Sequence, residues 1–168
     1  MAQSTAAMYT TDLNGRRVEA AVQQMSRDGA QAEITQSING RKVPLQQTET
    51  RVLEETPSGK VTETTIRKYD PNGQLAGTER VVSREQKTGD RTTIEATISR
   101  SDIHGRLVEA ERRSIETVTN GATSVSDVNI ARPSVNGTFE SAEKRKIVTN
   151  VEGKVIQDTE AVLRPSLS

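Results

Sequence analysis

One imidazole, His104, lies in the stretch RSDIHGRLVEAERR (Arg100–Arg113) and is the only histidine in 168 residues. A hydrolase triad needs such a base beside a nucleophile and an orienting acid. A metal site needs a second His, a Cys or converging carboxylates. The chain has no Cys and no second His, which leaves out thiolate chemistry and His-rich sites. Paired carboxylates occur at Glu54–Glu55 and at Glu109 and Glu111. Glycosidase chemistry would need such a pair across a cleft, so they are read as part of a solvated strand face. DLNG (Asp12–Gly15) and DPNG (Asp70–Gly73) start like a calcium loop but lack its third acidic position and distal Glu. Glycines occur singly, so no phosphate cradle is indicated. Asn136–Thr138 reads NGT, a glycosylation sequon that coincides with a turn. The sequence therefore predicts no catalytic residues, no cofactor-binding residues, no metal ligands and a non-enzymatic protein.

Composition narrows the partners. Basic and acidic residues balance at 23 each, so no bulk field draws the chain to nucleic acid or an anionic membrane. Aromatic residues make up 2%, too few for base-stacking platforms. No apolar run approaches the ~20 residues of a membrane helix, so no membrane insertion is expected. The opening MAQSTAAMY has neither the basic head nor the apolar stretch of a signal peptide. Leu, Ile, Val and Phe are about 20% of the residues, which predicts a thin core.

The elements that must position any site come from a repeat. Glycines at 73, 89, 105, 121, 137 and 153 are spaced by 16, and alternate intervals match best, so the unit is 32 residues. His104 holds the place of Asn72 and Asn136 in the neighbouring copies, immediately before the glycine. It is read as an Asn-Gly-type turn residue that tolerates positive φ. The intervening segments, such as RTTIEATIS and KVTETTIR, are rich in Thr, Val and Ile and lack a helical period. Each 16-residue step is thus one strand and one tight turn. Ten turn glycines separate about eleven strands, and Gly77 inside a strand marks a bulge or bend. Pro44, Pro71 and Pro133 fall near turns, and Pro165 lies in the terminal stub.

Short turns force antiparallel neighbours. The predicted fold is all-β: an antiparallel up-and-down meander of 32-residue hairpin repeats in a single-layer or curled sheet, with a β-solenoid or β-sandwich as alternatives. Irregular hairpins fill 1–67, three regular repeats 68–163, and a stub 164–168, in one continuous domain. Three repeat columns are apolar: Leu75, Leu107 and Phe139; Pro71, Ile103 and Val135; Ile98, Ile130 and Val162. They are expected to form a thin buried stripe. Glu79, Glu111 and Glu143 share another column, each followed by Arg or Lys, and predict charged faces held by cross-strand pairs.

YDPNGQL (Tyr69–Leu75) resembles one YD repeat of Rhs-type toxin shells. The Lys/Glu/Thr-rich, aromatic-poor strands with a YDxNG turn resemble the single-layer sheet of spirochaete outer surface lipoproteins, and more broadly the hairpin repeats of bacterial secreted proteins. That resemblance implies a fold and an extracellular or cell-envelope setting. The expected function is a structural repeat protein of the bacterial surface or extracellular matrix that self-associates through edge strands into fibres. The alternative is a surface adhesin or ligand-binding module that uses one sheet face for a protein or glycan partner.

Overall fold

A computed structural model describes residues 4–150 and 152–163. The terminal stub at 164–168, with Pro165, lies outside the described residues. Eleven strands follow one another: β1 (Ser4–Thr11), β2 (Arg17–Met25), β3 (Gln31–Ile38), β4 (Arg41–Thr56), β5 (Gly59–Tyr69), β6 (Leu75–Thr88), β7 (Arg91–Ser101), β8 (Leu107–Asn120), β9 (Thr123–Pro133), β10 (Phe139–Asn150) and β11 (Val155–Val162). Their hydrogen-bonded order is the chain order, in one antiparallel up-and-down sheet with β1 and β11 at its two ends. No helix occurs among the described residues.

Two kinds of turn explain why the period is 32 and not 16. Strands β6 and β8 have 14 residues, while β7 and β9 have 11. Two-residue turns begin at Gly89 and Gly121, and five-residue turns span 102–106 and 134–138. Gly89 and Gly121 take φ of 62° and 58° while the residue after each does not turn positive, the pattern of a II′ hairpin. Asn39 and Gly40 are both positive, as a I′ turn requires.

The five-residue turns work differently, and this corrects the reading of His104. Asn39 is the only non-glycine with positive φ among the described residues, so His104, Asn72 and Asn136 have ordinary backbone. The Gly105 N–H donates to the Asp102 carbonyl, and the Asp102 N–H donates to the Arg106 carbonyl. Only Gly105, at φ 78°, turns left-handed. This is a type I turn closed by a glycine bulge. The Asp102 carboxylate accepts the His104 and Arg106 N–H groups at 2.8 and 2.9 Å. Asp12, Asp70 and Asn150 make the same pair of bonds in their own turns. Ser134 holds the place in the remaining copy and bonds Thr138. The turn is thus written three residues before the glycine, by a side chain that satisfies two backbone donors.

A bulge recurs five residues beyond three of the turn glycines, whether the turn has five residues or two. Ala20, Leu45 and Ala142 each stand five residues after a turn glycine and have no Cα partner in the register of the preceding strand. At the matching position in β6, next to Gly77, the Thr78 N–H donates to Ser101 Oγ at 2.9 Å.

The described residues group into two compact units whose boundary cuts strands rather than repeats. Unit 1 comprises 1–51, 64–80 and 100–107; unit 2 comprises 52–63, 81–99 and 108–168. Unit 1 buries Ala21 and Val22 of β2; unit 2 buries Ile98 of β7. Of the expected apolar stripe, Ile98 is interior at 2% exposure, whereas Leu75 and Leu107 are exposed. Ile103 and Val135 protrude fully at 95% and 103%. They occupy the second position of the five-residue turns, beyond the ladder, where no strand can cover them.

Substitutions at one turn separate its parts. His104→Asn should leave stability within about 0.5 kcal/mol, as for a surface change away from any special feature. Asp102→Ala should lower the melting temperature more, because two turn N–H groups lose their acceptor. Gly105→Val should cost about 1–3 kcal/mol from backbone strain alone, since a side chain there meets open space. Thermal melts of the three variants check the order.

Candidate functional site

Unit 2 holds the most organised charged group. Glu111 on β8 is 3% exposed and accepts hydrogen bonds from Arg113 and from Arg132 on β9. Arg132 also lies 4.0 Å from Glu143 on β10. Burial pushes the Glu111 carboxyl up, but the two guanidinium hydrogen bonds and their charges outweigh this and hold it below its ordinary value. Unit 1 repeats the motif one copy earlier, where Arg100 on β7 reaches Glu79 on β6 at 2.9 Å. The Glu column and the first Arg of the next unit, 21 residues on, thus form a repeated cross-strand pair. A carboxylate held ionised by two arginines is a structural tie, not a proton donor or acceptor poised for chemistry.

The other candidate residues do not converge. Glu54 and Glu55 are exposed at the end of β4. Glu109 is tied to Arg112, whose side chain lies over the Phe139 ring at 4.1 Å. His104 sits in its turn, and Asn136 and Thr138 sit in theirs. Oδ1 of Asp12 and of Asp70 each accepts two turn N–H groups. Among the described residues no three His, Asp or Glu side chains stand close enough to hold a metal ion. The buried state of Glu111 was not signalled by its column, since Glu79 and Glu143 carry the same letter and are half-buried.

Each unit also has a concave area on a strand face. In unit 1 a cleft of about 270 Å³ is lined by Gln24, Gln31, Glu33, Gln47, Glu49 and Arg67, among others. The Tyr69 hydroxyl donates to Gln47 Oε1 at 2.7 Å, and Gln47 Nε2 donates to Glu33 at 3.4 Å. In unit 2 a wider hollow of about 470 Å³ lies over Ile94, Ile115 and Val128 with Glu95, Glu116 and Lys144.

The sheet edges are the third candidate. Every residue of β1 is exposed, and STAAMYTT contains no charge and no proline. Arg17 of β2 covers the Tyr9 ring at 4.0 Å. Strand β11 is also exposed throughout, but carries Asp158 and Glu160. Asp158 is paired with Arg145 of β10, whose hydrogen bonds hold its carboxyl below the usual range. Ile156 is the extra residue of a bulge between Gln157 and Val155.

No family model, no curated protein and no solved structure matches this chain.

The Glu111 tie has a pH signature. Its folded-state pKa lies below the ordinary 4.5, so its contribution is complete above that value and is lost as pH falls through the folded value. Glu111→Gln should cost about 1–3 kcal/mol at neutral pH and flatten the acid limb of the stability curve. Urea unfolding from pH 7 to pH 3 reads both effects (~2 for the denaturant slope in kcal/mol/M).

Proposed function

We propose that this chain is a structural repeat protein of the bacterial surface or extracellular matrix, and that copies join through their sheet edges into fibres. The observation that carries this reading is the exposed, uncharged β1 edge on an open sheet. An edge strand presents a row of unpaired backbone groups, and proteins that avoid pairing guard such edges with Lys, Pro or bulges. On β1 the only irregularity is the bulge opposite Met8 and Tyr9, and the half from Ser4 to Met8 pairs regularly with β2. The thin interior supports the same reading, because a sheet with little core is suited to extension rather than to enclosing a site. In this account the protein is not an enzyme. The polar cleft around Gln47 favours a second reading, a binding module whose amide and guanidinium groups meet a glycan or a protein loop.

Lysines on β1 provide the test. Ser4→Lys with Ala6→Lys places two guarding charges on one side of the edge and leaves exposed positions exposed. Wild type should assemble with rising concentration in sedimentation velocity and show filaments by negative stain. The double variant should shift assembly by on the order of tenfold, ~1.4 kcal/mol, with an unchanged circular dichroism spectrum. A wild type that stays monomeric at every concentration would remove the fibre reading and leave the binding module.

A further inference from the structure

The strongest unexplained feature is the end of unit 1 formed by the connections at Gly15, Gly40, Gly73 and Gly105. In an up-and-down order these four close the same end of their hairpins. Their tips carry Leu13 at 106% exposure and Ile103 at 95%, with Pro71 exposed at the equivalent place. Turn geometry accounts for Pro71, since proline suits the second position of a type I turn. It gives no reason for Leu or Ile there, and folding covers neither side chain. The remaining unit 1 turn, at Gly29, has Arg27 and Asp28 instead.

The same end is cationic although the whole chain is neutral. The segments 12–17, 39–42, 70–74 and 102–106 carry Arg16, Arg17, Arg41, Lys42 and Arg106 against Asp12, Asp70 and Asp102. All three carboxylates face their own turns, each accepting two backbone N–H groups. Arg106 is paired with Asp102, whereas Arg16, Arg41 and Lys42 are exposed. Between two of the turns lies a hollow of about 390 Å³, bordered by Ile38, Val43, Pro44 and Pro71 with Arg41 and Lys42 at its rim.

We infer that this end of unit 1 docks on an anionic lipid surface, with Leu13, Pro71 and Ile103 entering the headgroup layer and Arg16, Arg41 and Lys42 meeting lipid phosphates. This goes beyond the structural role proposed above and does not depend on edge pairing. The tips are separate, with polar turn residues between them, and alternate hairpins in a sheet stand about 10 Å apart. A protein partner needs a contiguous apolar centre, usually aromatic. A fluid headgroup region instead fills the space between discrete tips, and basic residues beside apolar ones favour an anionic surface.

Vesicle co-sedimentation decides it, using phosphatidylcholine vesicles with and without about 30% phosphatidylserine. Wild type should partition at least about tenfold better onto the anionic vesicles and be released at about 0.5 M salt, where charge screening is strong. Leu13→Ser with Ile103→Ser should lose about fivefold or more of that binding, as expected when two aliphatic side chains leave the interface. Both positions are fully exposed, and an unchanged melting temperature confirms that the variant is folded. Arg41→Gln with Lys42→Gln should weaken binding to the anionic vesicles without creating binding to neutral ones. Equal partitioning of wild type on both vesicle types, or no partitioning, overturns the inference. So does a tip variant that binds as well as wild type, because attachment would then be electrostatic alone.

Discussion

The backbone hydrogen-bond ladder carries this fold, and everything else serves its register. A sheet with so few buried apolar side chains gains little from apolar burial. Among the described residues, unit 1 has only Ala21 and Val22 as buried apolar residues, and unit 2 has Ile98. Register must then come from the turns and from side-chain pairs between strands. The Asp, Asn or Ser that opens each five-residue turn and the glycine three residues later set where the next strand starts. After Gly15, Gly40 and Gly137 a bulge five residues on then resets which side chains face which way. Threonine and serine hydroxyl pairs, such as Thr50 with Thr64 in unit 1 and Thr117 with Ser126 in unit 2, add cross-strand bonds where a larger protein would place aliphatic contacts.

Charge in such a sheet cannot be only solvation. Glu111 is buried more deeply than any apolar residue except Ile98, and this is possible because two arginines satisfy it. The same pairing in the preceding copy, Glu79 with Arg100, is more exposed and correspondingly weaker. Two successive copies of the repeat thus hold the same ion pair in different environments. The repeat also concentrates chemistry at the margins. Among the described residues the edge strands β1 and β11 and the turn tips at Leu13, Ile103 and Val135 stay exposed. Both the proposed self-assembly and the lipid docking use those margins.

The strand number, the meander order and the turn positions were legible because glycine spacing and β-rich segments are local signals. The five-residue turn was misread because Asn-Gly suggests a two-residue hairpin. Asp102 and its counterparts carry the turn, and the residue before the glycine keeps ordinary backbone. The apolar columns were legible as columns, but not as inside or outside. Ile103 and Ile98 look alike in sequence, yet one lies past the end of the ladder and the other in the middle of β7. A bulge shifts the inward and outward alternation by one residue, so a period-two reading across Ala20 or Ala142 assigns faces wrongly. The division into two units was not legible at all, because it cuts across β4 to β8 rather than following the repeat.

The heat-capacity change on unfolding tests most directly the claim that hydrogen bonds and polar pairs, not an apolar core, hold the protein. Ordinary globular proteins give about 12–15 cal/mol/K per residue, or about 2–2.5 kcal/mol/K for a chain of this length. Apolar exposure raises this quantity and polar exposure lowers it. Scanning calorimetry should therefore return a value well below about 2 kcal/mol/K. A value at or above that level would mean that folding buries a conventional apolar core, which would contradict the account.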